Sequence, residues 1–111
     1  MTNYIPKKGD IIAMDFNPTK GHEQSGTRPA LIISNESYYR LTKLIMVCPI
    51  SNTVNDFPMH IKLDARTKTT GSILTQHLRT VDPAARQISF IEVMPPEFTE
   101  QAVKNIGLCL I

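Results

Sequence analysis

Short apolar runs, each closed by a turn signal, recur from residue 11 to residue 93, and only one stretch after them has full helical periodicity. This alternation constrains the fold more than any other feature of the chain. Runs of about four to eight residues rich in Ile, Val and Leu read as strands, because branched side chains fit a pleated surface while Pro, Gly and Asn interrupt it. Ile11 to Phe16 is the first, opened by Gly9-Asp10. Ala30 to Ser34 and Leu44 to Cys48 read as buried strands, the second closed by Pro49. Met59 to Leu63 alternates as a half-exposed strand does. Ser72 to Leu78 and Gln87 to Val93 complete the set.

The helical signals are fewer. Asn35 can cap a short turn over Glu36 to Arg40. Asp82-Pro83 has a helix-start signature. A terminal helix is expected from Pro95-Pro96-Glu97. Phe98, Ala102, Val103 and Ile106 give it an apolar face, and Gly107 can end it. One helix cannot serve several parallel crossovers, so the pattern predicts a small barrel or curled sheet with a helix packed on it. Asn17 to Thr27 is a polar loop, long for a hairpin, and long loops in small domains often carry function.

Composition narrows the class further. A chain of 111 residues is predicted to form one domain spanning residues 1–111, and 41% hydrophobic with 20% charged residues is ordinary for a globular protein. No apolar run approaches a membrane span, and the N-terminus lacks the apolar core of a signal peptide, so the expected compartment is the cytoplasm. Cys48 and Cys109 lie in apolar segments without zinc spacing and read as small buried hydrophobes. No cofactor or metal is expected. The net charge of +2 does not by itself select nucleic acid, although the cations gather before residue 87 and Glu92, Glu97 and Glu100 sit in the tail.

The segment from Gly9-Asp10-Ile11 through Asn17-Pro18-Thr19-Lys20-Gly21-His22-Glu23-Gln24-Ser25-Gly26-Thr27-Arg28-Pro29-Ala30 closely resembles the MazF/PemK/Kid signature. Cys48-Pro49-Ile50-Ser51-Asn52 is similar to that family's Val-Pro-x-(Thr/Ser). Thr70-Gly71 and then Leu78-Arg79-Thr80-Val81-Asp82 with Ala85-Arg86 form a third match. The resemblance covers nearly the whole chain. It implies a mainly β fold with minor α, an SH3-like five-stranded barrel of the MazF/CcdB-like kind with a C-terminal helix. The family is usually a homodimer. It also implies a toxin that cuts single-stranded RNA without a metal and is neutralised by a cognate antitoxin of the MazE/PemI kind.

Such cleavage uses the substrate's own 2′-hydroxyl as nucleophile, so the enzyme must align it, move two protons and stabilise charge on phosphorus oxygens. The resemblance makes Arg28 catalytic. Its guanidinium stands where the polar loop meets a buried strand and can grip a phosphate through two donors. Without the motif, an ion pair with Asp15 or Glu23 would be the preferred reading. Ser51 matches the family's catalytic Thr; its hydroxyl either serves a phosphate or bonds its own turn. His22 has the right intrinsic pKa for a proton carrier, or is an exposed loop residue. Glu23 and Gln24 belong to the motif and are expected to bind substrate, with Glu23 fixing the loop more than doing chemistry. Asn52 either contacts RNA or shapes a turn, and Thr70 touches substrate by analogy.

The chain departs from some relatives at Gln76, where they carry an acidic residue. Glutamine binds but does not titrate, which casts doubt on a carboxylate base and points to His22 instead. His77, on a strand, would face away from Gln76. Phe57 either stacks a base or anchors a loop. Arg79 and Arg86 are expected to pair with Asp82 or a partner subunit.

The main rival is a gyrase-poisoning toxin of the same fold, CcdB-like, which would act through the chain's end and not need the Arg-Pro and Ser pair. A peptide-binding SH3 module would need more aromatics than three Tyr and four Phe with no Trp. An inactive relative that still binds its antitoxin is the remaining reading.

Overall fold

The computed structural model describes residues 4–16, 27–53 and 57–111. Among these residues seven strands carry the fold: β1 (Asp10–Asp15), β2 (Thr27–Ile32), β3 (Ile45–Ser51), β4 (His60–Lys62), β5 (Ser72–Leu74), β6 (Arg79–Val81) and β7 (Ser89–Val93). Two helices join them, α1 (Glu36–Thr42) and α2 (Pro96–Leu108). The pairings are antiparallel, in the order β4-β5-β3-β2-β1-β7, with β6 also on β3. The mainly β architecture with a C-terminal helix is as expected, in seven strand segments where five were expected.

Each long strand is apolar on both sides because the sheet buries both sides. Ile11, Leu31, Cys48 and Ile50 point into one cluster with Ile73 and Met94. Their chain neighbours Ile12, Ala30, Ile32 and Val47 point into a second, with Met14 and Val81. Period-two alternation thus divides one apolar run between two cores. The first core is covered by α2: Ala102 is fully buried, and Phe98 and Ile106 pack beside it at four-residue spacing. Val103, expected on that face, turns outward. The second core is closed by Tyr4, Phe16, Tyr39 and Ile88.

Several boundaries differ from the sequence expectation, each for a local reason. The run Ser72 to Leu78 is not one strand: after β5 a 3-10 turn over Thr75–His77 interrupts it, anchored by the Thr75 hydroxyl and N–H on the Met59 carbonyl. The argument that His77 must face away from Gln76 therefore lapses. Pro49 does not end β3, which continues to Ser51. Asp82-Pro83 starts a turn, not a helix; the Asp82 carboxylate accepts from Ala84 N–H, and Gln87 lies at φ 52. Asn35 caps α1 as expected, accepting from Tyr38 N–H at 2.9 Å, and α1 runs on to Thr42 before Lys43 closes it in the left-handed region. Gly107 lies inside α2, and Cys109 caps it.

Cys48 is buried, and burial pushes its thiol up to about 12. Cys109 is exposed, against the expectation that both cysteines are buried, because α2 ends in its last turn beyond the covered face. A thiol-alkylating reagent at pH 8 is expected to modify Cys109 and leave Cys48 intact until the protein unfolds. Mass mapping of the native, labelled protein checks this; equal labelling of both sites contradicts it.

Candidate active site at the ends of β2 and β3

The last rungs of the β2–β3 ladder are Ile32–Val47, Leu31–Cys48 and Ala30–Pro49. The next rung would need an N–H from Pro29, which has none, so the ladder stops there. Pro49 is tolerated on its other edge for a related reason. There β3 pairs with β6 through Val47 and with β5 from Ile50, and the 3-10 turn fills the gap. Carried one pair further on the same face, the register sets Arg28 across from Ser51. Both are still within their strands but past the last hydrogen-bonded rung. Strands lie about 4.8 Å apart, so one phosphate can be shared between the two side chains.

Arg28 is exposed and makes no ion pair with another described residue. On its other side it pairs with Met14 of β1. Phe16, two residues further along that face, carries the Arg79 guanidinium over its ring at 5.5 Å. Arg79 was expected to pair with Asp82 or a partner; instead it brings a second guanidinium toward the Arg28 end. Arg86, expected to do likewise, donates to the Asp15 carbonyl at 3.2 Å.

The Ser51 hydroxyl accepts from Thr53 N–H at 3.0 Å. The turn role and the substrate role are therefore compatible, since an accepting hydroxyl keeps its own proton to donate. Asn52 follows, exposed. Gly71 locks this corner. It has φ +115, and a Cβ there would stand 2.5 Å from the Ser51 carbonyl oxygen. Only glycine permits both the dihedral and the approach, and Thr70 is brought beside Ser51 and Asn52 as a result.

The loop from Asp64 to Thr70 is held from two sides. Glu92 of β7 accepts from the N–H groups of Lys68 and Thr69 and from the Thr69 hydroxyl, at 2.8 to 3.1 Å. Arg66 bridges Asp64 and Glu97 of α2 and lies 4.7 Å from the centre of the Phe98 ring. Burial acts to raise the Glu92 pKa, but the donated hydrogen bonds from Thr69 and Lys68 outweigh it and hold the carboxyl below its ordinary value. Glu92 escaped the sequence reading, which saw only a tail acid; nothing in its spacing marks the loop it anchors.

Gln76 sits apart from this corner. Its amide nitrogen lies 2.9 Å from His60 Nε2, and Phe57 packs against the same imidazole with ring centres 5.3 Å apart. His60 carried no motif and was not singled out from sequence. The register puts it two strands from Ser51 and one step back along the sheet. Ser51, Asn52 and Thr70 thus meet at the Gly71 corner, the β2–β3 register carried past its last pair sets Arg28 across from Ser51, and Gln76 lies apart on His60. His22, Glu23 and Gln24 lie outside the described residues. Among the described residues no three His, Cys, Asp or Glu side chains are grouped to hold a metal ion. No described helix is long and apolar enough to cross a membrane.

A family model of PemK-like, MazF-like toxins of type II toxin–antitoxin systems matches residues 7–110. The endoribonuclease toxin MazF of Escherichia coli K12 is 30% identical over 97 residues, covering 87% of this chain and 86% of that protein. The endoribonuclease PemK of Escherichia coli is 31% identical over 108 residues, covering 94% and 81%. Among solved structures, a MazE–MazF crystal structure from Deinococcus radiodurans superposes with a TM-score of 0.89 at 30% identity, covering 97% of each chain.

Two outcomes are expected of this corner. Gly71→Ala should destabilise the protein by about 1–3 kcal/mol through its dihedral alone, with further loss from the contact at Ser51. Thermal melting reads this, and an unchanged Tm contradicts it. Glu92 has its folded pKa depressed, so its contribution is present above its unfolded value of about 4.3 and is lost as pH falls through the folded value. Glu92→Gln should therefore flatten the acid limb of the stability–pH curve, and equal limbs in both proteins would contradict the anchoring role.

Proposed function

The chain belongs to the PemK-like, MazF-like toxins of type II toxin–antitoxin systems, and we propose that it is an endoribonuclease toxin that cuts single-stranded RNA by 2′-hydroxyl attack without a metal. The observation that supports this reading is the β2–β3 register, which ends at Ala30–Pro49 and, carried one pair further on the same face, sets Arg28 across from Ser51.

The reaction follows from those groups. The 2′-oxygen attacks phosphorus, its proton passes to a base, and the bond to the 5′-oxygen breaks as that oxygen takes up a proton. The products carry a 2′,3′-cyclic phosphate and a 5′-hydroxyl. Arg28 stabilises the charge on the non-bridging oxygens, a role suited to a side chain that does not readily deprotonate. Ser51 donates its proton to the phosphate or the 2′-oxygen, while Thr53 N–H orients it. His22 is the proposed base, since Gln76 cannot titrate. Glu23, Gln24, Asn52, Thr70 and Gln76 bind substrate. DNA is spared because it lacks the nucleophile.

The setting follows from the same reading. The toxin acts on mRNA in the cytoplasm, stops translation and growth, and is neutralised by a cognate antitoxin. A flexible acidic segment laid over Arg28 and its neighbouring cations would compete directly with the phosphate backbone. A homodimer is supported by apolar surface: Phe90, Ile91 and Val93 on β7 and Leu108, Leu110 and Ile111 at the chain's end are exposed. A gyrase-poisoning role finds no specific support, as the named relatives are endoribonucleases.

Purified protein incubated with a mixed-sequence RNA in EDTA should cut at one recurrent motif and leave cyclic-phosphate ends. Arg28→Ala should lower kcat by roughly 100- to 1000-fold. Ser51→Ala should also slow cleavage, and His22→Ala should do so most near neutral pH. No cleavage in EDTA, with activity in a gyrase assay run alongside, would overturn the assignment. An unchanged rate in Arg28→Ala would remove the proposed site.

A further inference from the structure

A cavity of about 410 Å³ opens between the N-terminal segment, the end of α1 and the turn from β6 to β7, and it shares no lining residue with the proposed active site. Its size is within the range of small-ligand sites, roughly 300–1,000 Å³. Its inner wall is aromatic and apolar: Tyr4, Tyr39 and Ile88 line it where they pack on the second core. The Tyr4 ring is fixed by its hydroxyl, which donates to Asp10, and by the Phe90 ring, with centres 5.8 Å apart.

Lys43, Asp82 and Gln87 bring polar groups to the same cavity. The Lys43 ammonium lies 5.5 Å from the centre of the Tyr39 ring and forms no ion pair with a described residue. Asp82 accepts from Ala84 N–H through one carboxylate oxygen, and the other has no partner among the described residues. The β3–β6 ladder ends at Ile45–Val81. Carried outward, that register sets Asp82 across from Leu44 and Pro83 across from Lys43, so cation and anion stand on adjoining chain segments without pairing with each other. Lys43 at φ 63 and Gln87 at φ 52 are the non-glycine residues with positive φ among the described residues, and both line this cavity. Backbone held in such conformations gathers at ligand sites.

We propose that this cavity binds a free α-amino acid with an aromatic or large aliphatic side chain. Lys43 takes the carboxylate and Asp82 the ammonium, groups that such a ligand carries on a single carbon. Tyr4, Tyr39 and Ile88 receive the side chain, and the Gln87 amide donates or accepts at the head group. A peptide carries its two terminal charges apart and a nucleotide lacks the cation, so neither satisfies both residues. The site needs no nucleic acid and none of the residues assigned to RNA cleavage, so it stands or falls separately from the ribonuclease reading.

Thermal shift and calorimetry on the full chain, without RNA, test it. Millimolar L-phenylalanine should raise Tm, because a ligand of the native state stabilises it by mass action. Phenethylamine, which lacks the carboxylate, and hydrocinnamate, which lacks the ammonium, should each bind roughly 10- to 100-fold more weakly, the worth of a hydrogen bond to a charged group. Glycine, without an apolar body, should give no shift. Lys43→Asn, which the left-handed region accepts, should weaken phenylalanine by the same factor and remove its advantage over phenethylamine. Asp82→Asn, which keeps the acceptor for Ala84, should remove its advantage over hydrocinnamate. Lys104→Ala on α2 should change neither, and the unliganded Tm of each variant checks folding. The analogue series decides the question on the wild-type chain alone. No shift with phenylalanine, tyrosine or leucine, hydrocinnamate or phenethylamine binding as well as phenylalanine, or wild-type affinity in both site variants overturns the proposal. A shift with adenosine monophosphate and none with the amino acids overturns it in favour of a nucleotide.

Discussion

The antiparallel register of β2 on β3 is the constraint from which the rest of the site follows. It is set by Leu31 facing Cys48 and Ala30 facing Pro49, pairs that send alternate residues into two different cores. A slip of one residue would exchange those cores and expose both. With both sides of the strands buried, the register is held by packing as well as by hydrogen bonds. The strand ends inherit that precision without needing hydrogen bonds of their own, which is how Arg28 and Ser51 can face each other past the last rung.

Two prolines shape this junction by what they cannot do. Pro29 lacks the donor for the next rung, and Pro49 occupies the one stretch of β3 whose outer edge has no ladder. The hydrogen-bonded ladder therefore ends at Ala30–Pro49, while β2 and β3 themselves run on to Thr27 and Ser51. Gly71 then closes the corner from β5, where its backbone approaches Ser51 more tightly than any side chain would allow. The acidic residues of the tail act from a distance: Glu92 and Glu97 hold the Asp64–Thr70 loop by its N–H groups and by Arg66. The positive charge near the site and the negative charge of the tail are thus parts of one arrangement, with the acids ordering the backbone and the cations left facing solvent.

How much of this was legible in the sequence depends on whether a feature is local. The strands at Ile11, Ala30 and Leu44, the Asn35 cap and the helix after Pro95 each rest on neighbouring residues, and they appear where composition and spacing place them. The elements that moved are those decided by contacts from elsewhere. Ser72 to Leu78 has the apolar content of one strand, but Thr75 is drawn to the Met59 carbonyl, sixteen residues away, and the run folds into a 3-10 turn. Val103 has the same apolarity as Ala102 and Ile106 but lies off the line that meets the sheet. Glu92, His60 and Lys62 belong to no short motif; their partners are brought to them by strand pairing.

The amino-acid sequence by itself determined the succession of strands, the terminal helix and the residue types available for phosphate chemistry, because periodicity, turn residues and fixed motifs act over a few positions. Only the tertiary structure decided that Ser51, Ser72 and Lys62 form a line, that Gly71 must be glycine and that Glu92 governs a loop more than twenty residues before it. Those relations are made by register across strands far apart in the chain, and register is chosen by the burial of two cores together, which no local stretch of sequence contains.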